Sequence, residues 1–167
     1  GQNLASASFR EATLTGADLT DAVIAGANFW RDYGPARPAL TQQQLYSTAS
    51  YKAKDLHGVG WGRNDLSGWN FVGQNLTRAN FQEAKLTGAD LSGADLRAAV
   101  DAYADLPAAI TKNTILPDGS IAGLDLRDGG ILLVRDYDGD PSRNLLPIPI
   151  TVQRAMATDT GSTLRLT

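Results

Sequence analysis

Large apolar residues recur every fifth position through long parts of this chain, and few folds can use such a spacing. In "TRANFQEAKLTGADLSGADL", residues 77–96, the large residues are Phe81, Leu86, Leu91 and Leu96. On a helix, five residues advance about 500°, so the leucines would scatter around the cylinder. On a regular strand, successive leucines would point to opposite faces of a sheet. The spacing suits a short extended piece followed by a corner. The residue two before each centre then points to the same side, here Ala79, Ala84, Ala89 and Ala94, and the residue between them points away. Pairs such as Thr87-Gly88 and Ser92-Gly93 supply the turn. One such coil cannot bury its own interior, so coils must stack, pairing at the inter-strand spacing of about 4.8 Å. The result is a solenoid whose open ends need covering.

Two blocks keep the spacing. The first has centres Leu4, Phe9, Leu14, Leu19, Ile24 and Phe29; the second has Leu56, Trp61, Leu66, Phe71, Leu76, Phe81, Leu86, Leu91 and Leu96. These fifteen residues are the expected core. Phe29 and Leu56 are 27 positions apart, not a multiple of five, so residues 30–55 are an insertion. Within it, Gly34, Pro35 and Pro38 break regular structure, and Thr41 with Gln44 forms a capping box flanked by Leu40 and Leu45. This predicts a helix over about 42–52 whose face of Leu45, Ala49 and Lys52 lies on the outside of the solenoid.

After Leu96 the pattern degenerates. Leu106, Leu116, Ile121, Leu126 and Ile131 keep the register, so coils are expected over 56–131 in preference to a helix at 97–115, with a turn at Pro117-Asp118-Gly119. Strand-like runs at 131–135, 148–153 and 163–166 predict a small β appendage over 132–167 that covers the open end.

The pentads "GADLT", "GANFW", "RANFQ", "EAKLT", "GADLS" and "GADLR" closely resemble the pentapeptide-repeat family, with its pattern A(D/N)LXX. The resemblance implies a right-handed quadrilateral β-helix with four pentads per coil. With the insertion and the tail, the expected fold is an all-β solenoid over 1–29 and 56–131, interrupted by one short α-helical insertion and closed by a C-terminal β cap. The stretch from Leu45 to Leu76 together with "VRDYDGDP" in the tail resembles a subset of exported bacterial members of the family.

Several function classes lose support from composition. Cysteine is absent, which removes disulfides, thiolate zinc sites and cysteine nucleophiles. No run of about eighteen apolar residues is present, so no membrane-spanning helix is expected. Residues 1–100 carry nine acidic and nine basic side chains, while 101–167 carry nine acidic and six basic, and no basic patch with interleaved aromatics favours nucleic acid. A start at Gly1 without a leader reads as a piece of a longer protein, and an exposed coil there could be covered by more chain or by a second copy.

Candidate chemistry is sparse. Asp136, Asp138 and Asp140 with Gly139 resemble the first half of a calcium loop, although Gly comes early and the twelfth position is Pro147; a solvated hairpin turn is the alternative. The outward column of Asp18, Asn28, Asp65, Asn70, Asn75, Asn80, Asp90 and Asp95 could form a ligand ladder, but the family resemblance assigns it to corner geometry and bonding between coils. His57, the only histidine, has no Ser or carboxylate placed by the sequence to complete a triad. Trp30, Trp61 and Trp69 with Tyr33, Tyr46 and Tyr51 could form a binding platform or pack the insertion against the solenoid. The expected function is a non-enzymatic structural or protein-interaction scaffold without a cofactor, extracellular or at the cell surface. The alternative is a cytoplasmic DNA mimic that binds gyrase and confers quinolone resistance.

Overall fold

Most corners among the described residues are made by the same local event. The residue two after a centre takes a left-handed backbone whether it is Gly68 (φ +69°) or Arg63 (φ +58°). A β-turn closes around it, as in the 2.8 Å bond from Ala84 N to Phe81 O. Left-handed geometry at the third turn position is what favours glycine there. The outward Asp or Asn braces the next corner by accepting from the amide two residues on, for example Asp18 from Thr20 at 2.9 Å and Asp90 from Ser92 at 2.9 Å.

The computed structural model describes residues 1–32 and 39–124. In it the chain winds into coils of twenty residues, because bridged residues are twenty apart and parallel: Asn3 with Val23, Asp55 with Asn75, Gly60 with Asn80, Asp65 with Lys85, and Asn75 with Asp95. Twenty residues are four pentads, so each coil has four sides. Regular strand is scarce, since a corner interrupts every fifth residue and each side contributes a single bridge. Among the described residues the only named strands are β1 (Thr114–Ile115) and β2 (Ile121–Ala122).

The centres stack inside the coils. Leu19, Ile24, Phe29, Leu56, Trp61, Leu66, Phe71, Leu76, Phe81, Leu86, Leu91 and Leu96 are all buried. Leu4, Phe9 and Leu14 are half-buried, because among the described residues a coil stacks on one side of them only. Phe9, Phe29 and Trp61 form a stacked column with ring centroids 5.2 Å apart at each step.

The insertion departs from expectation in form and in place. Instead of one helix there are two, α1 (Gln42–Ser47) and α2 (Ala49–Lys52). Thr48 separates them: its extended backbone ends α1, and its hydroxyl accepts from Tyr51 N at 3.1 Å to start α2. The capping box at Thr41 and Gln44 is present in both directions. The helices do not lie on the outside of the stack. Asn28 pairs with Gly60, 32 residues on, so the second coil contains twelve residues more than the others. After Ile24 and Phe29 its two remaining sides are replaced by the insertion, whose Leu40 and Leu45 are buried in the common core.

The coil register persists beyond Leu96, with Val100, Ile110 and Ile115 bridged to Asn80, Asp90 and Asp95. One turn of 3-10 helix, Leu106–Ala108, interrupts it, and there the Asp105 carboxylate takes the place of a ladder carbonyl in accepting from Leu86 N. The expected continuation of coils through Leu116 and Ile121 is not observed. The chain reverses at Pro117-Asp118-Gly119, and β2 pairs antiparallel with β1, placing Ile121 against Ile115. Gly119 supplies the left-handed residue, at φ +82°, that the reversal needs. Leu126, Ile131 and the expected appendage over 132–167 lie outside the described residues.

Candidate functional site

The most irregular part of the molecule is the third coil, beneath the insertion. Elsewhere the residue two before a centre is usually alanine, but here the four positions hold Val59, Asn64, Trp69 and Gln74, all buried. Asn64, Trp69 and Gln74 follow the point where the coil above loses two sides, whereas Val59 lies on the regular side beneath Ala27. Asn64 closes the gap where the chain leaves the second coil. Its Nδ2 donates to the carbonyls of Phe29 (2.9 Å), Trp61 (3.1 Å) and Gly62 (3.1 Å), and its Oδ1 accepts from Ala39 N at 2.7 Å. Gln74 does the same where the chain returns, donating to Tyr51 O at 3.1 Å. Trp69 packs edge-on against Trp61 and stacks on Phe71.

The insertion is bonded on both sides. Toward the first coil, Gln44 Nε2 donates to the carbonyls of Leu14 (2.6 Å) and Ala17 (2.9 Å), and Asp21 N donates to Ser47 O at 3.0 Å. Toward the third coil, the Tyr46 hydroxyl accepts from Asn70 N at 2.7 Å and the Tyr51 hydroxyl donates to Asn70 O at 3.0 Å. Burial raises the pKa of Tyr51, with the nearby Tyr46 adding to the effect. Trp30 is half-buried with its ring against Gly62, where a Cβ would approach Cε3 to 2.0 Å. Trp30, Trp61, Trp69, Tyr46 and Tyr51 thus pack the insertion into the stack, and Tyr33 lies outside the described residues.

His57 differs from its sequence reading. A carboxylate is placed beside it: Asp55 Oδ1 is 2.8 Å from His57 Nδ1 and also accepts from Asn75 Nδ2 at 3.1 Å. The hydroxyl in the equivalent position of the next coil, Thr77 Oγ1, donates to Asn75 Oδ1 at 2.8 Å. The group is therefore a polar ladder between coils. The eight outward Asp and Asn residues all accept from the amide two positions on, so their oxygens serve corners.

Ionic contacts interleave rather than segregate. Arg10 pairs with Asp32, Lys52 with Asp21 at 2.7 Å, Arg63 with Glu83 at 2.9 Å, and Arg97 with Asp95 at 2.8 Å. Carboxyl pKa values fall for local reasons: the Thr20 hydroxyl beside Asp18, Lys52 beside Asp21, Arg10 beside Asp32 and the Ser67 hydroxyl beside Asp65. A cleft of about 460 Å³ opens between Thr15–Asp18 and Ala39–Gln44, with Asp18 the ionisable group among its described lining residues. Among the described residues no cluster of His, Asp and Glu could hold a metal ion, and no helix is long and apolar enough to cross a membrane. Asp136, Asp138 and Asp140 lie outside the described residues.

The family model described as pentapeptide repeats matches residues 1–31 and 65–100, in eight copies. These two stretches are pentapeptide repeats. The gap between the two matched stretches, 32–64, holds most of the insertion and the irregular start of the third coil. It is similar to HetL, a pentapeptide repeat protein involved in heterocyst differentiation regulation from the cyanobacterium Nostoc sp. strain PCC 7120, at 25% identity and a TM-score of 0.41. That match covers 71% of this chain and 51% of HetL. It is also similar to the pentapeptide repeat protein Rfr23 from the cyanobacterium Cyanothece 51142, at 29% identity and a TM-score of 0.37, covering 59% of this chain and 63% of Rfr23. The chain thus spans less than two thirds of either relative. No curated protein matches it.

The insertion, its capping box and the core centres could be named from the sequence. The roles of Asn64 and Gln74 could not, although their departure from alanine was a visible signal. The pairing of His57 with Asp55 was also open to notice, since the two are separated by one residue across a corner.

Proposed function

We propose that this pentapeptide-repeat chain is a non-enzymatic scaffold: a right-handed quadrilateral rod, part of an exported bacterial protein, that presents a fixed surface to a protein or surface partner. The observation that carries this reading is the filled interior. Fully buried Phe29, Trp61, Phe71, Phe81 and the leucines around them occupy the space that an enzyme of this architecture would need for a substrate. The polar groups outside serve the corners, the coil contacts and the insertion. Export rests on the sequence resemblance alone, and calcium at Asp136, Asp138 and Asp140 is a further expectation of the same kind.

A DNA mimic needs negative charge arrayed along the rod. Here acidic side chains stand beside basic ones at four corners, which gives that alternative little support. Two measurements test the reading together: antibody detection of the full-length protein in fractionated cells, and gyrase supercoiling in the presence of the purified chain. Detection at the surface or in the medium, with supercoiling unchanged, supports the scaffold. A cytoplasmic protein that inhibits supercoiling overturns it.

A further inference from the structure

Two buried polar atoms of the third coil have no hydrogen-bond partner among the described residues: Trp61 Nε1 and Gln74 Oε1. Their residues are 0% and 1% exposed, so bulk water does not reach them. One is a donor only and the other an acceptor. Buried polar groups in folded proteins almost always find a partner, and an ordered internal water is a common one. The surroundings fit that explanation. The third coil is where alanine gives way to Val59, Asn64, Trp69 and Gln74, beneath the two sides that the insertion replaces, so its cross-section cannot repeat the regular packing of the fourth coil. Asn64, in the same coil, already bonds backbone groups through both its oxygen and its nitrogen. The other end of the Gln74 amide is held by Tyr51 O, which fixes the orientation of its oxygen.

We propose that the third coil encloses ordered internal water, accepting a hydrogen bond from Trp61 Nε1 and donating one to Gln74 Oε1, as an integral part of the junction between insertion and stack. An internal water makes about three hydrogen bonds. Carbonyl oxygens of the coil, each with a second lone pair, complete its shell.

A high-resolution crystal structure of the full chain tests this, together with water-to-protein magnetisation transfer by NMR on the indole proton of Trp61, assigned with the Trp61→Phe variant. The expected result is ordered solvent density within hydrogen-bond distance of both atoms, and a cross-peak from Trp61 with the sign of a water bound longer than the molecule tumbles. In crystals of Trp61→Phe, which keeps a ring in the column, that density is expected to weaken or shift. Dry density around both atoms, or either atom bonded directly to a protein group, overturns the proposal. A Trp61 indole proton that exchanges with bulk solvent as fast as an exposed one overturns it as well.

Discussion

Asn64 Nδ2 lies 2.9 Å from the Phe29 carbonyl, 35 residues earlier in the chain, and this bond joins the last regular residue before the insertion to the coil beneath it. With Ala39 N bonded to the same side chain, one amide holds both edges of the gap. Asn64→Leu keeps the branched shape but leaves buried backbone groups unpaired, at about 1–3 kcal/mol each. The expected loss exceeds about 2 kcal/mol on that scale. Urea denaturation of the variant measures it, and a loss below about 0.5 kcal/mol, the range of ordinary surface changes, would mean that Asn64 does not bridge the gap.

The centres should differ by position in the stack. Leu86 is fully buried, so Leu86→Ala should cost about 2–5 kcal/mol. Leu4 is half-buried in the first coil, and Leu4→Ala should cost about half as much or less, because less apolar area returns to water. The comparison is a pair of urea melts; equal losses would show that the first coil is covered in solution.

Gly62 is constrained by its neighbour rather than by its backbone. A methyl group there would overlap the Trp30 ring at 2.0 Å, so Gly62→Ala should drive the indole toward solvent at a cost of about 1–3 kcal/mol. The readout is a red shift in Trp30 emission, isolated by repeating the substitution on a Trp30→Phe background. An unchanged spectrum would place the ring elsewhere.

Stability should fall toward both extremes of pH. The carboxyls of Asp18, Asp21, Asp32 and Asp65 have folded pKa values below their unfolded ones. Their contribution is therefore complete above the unfolded value of about 3.9 and is lost as pH drops through the folded values. Tyr51 has the opposite sign. Its contribution is complete below an unfolded value of about 10 and is lost as pH rises through its higher folded value. Thermal melts from pH 2 to pH 11 test both limbs, and Tyr51→Phe should remove part of the alkaline one.

How far the sequence foretold this structure depends on what each residue was competing against. The centres and their alanine partners could be read directly, because a five-residue period is incompatible with any helix or flat sheet. Thr41 and Gln44 announced α1 because a capping box is local. The break at Thr48 was hidden, since its hydroxyl can cap a helix only once the backbone turns extended, and tertiary bonds from Asp21 to Ser47 and from Ala49 to Ala22 favour that turn. The position of the insertion was hidden too: Leu45 and Lys52 share a helical face only if the helix is unbroken. At the other end, Leu116 and Ile121 kept a spacing of five and pointed to another coil, yet Pro117-Asp118-Gly119 made the reversal cheaper than the corner. The polar residues of the third coil were visible as exceptions, but their purpose needed the partner they met.

The exchange of two sides for a helical plug bears on how such a chain tolerates change in length. Since each pentad forms one side of a twenty-residue coil, adding five residues after Trp61 would keep every later leucine inside while rotating all later surface residues by a quarter turn about the stack. His57 would no longer stand in line with Thr77. The insertion avoids that rotation: twelve extra residues fold back on themselves, and Gly60 still arrives under Asn28. What is held constant along this molecule is therefore azimuth rather than length, and a partner that reads several coils at once would detect a change of phase that leaves the core untouched.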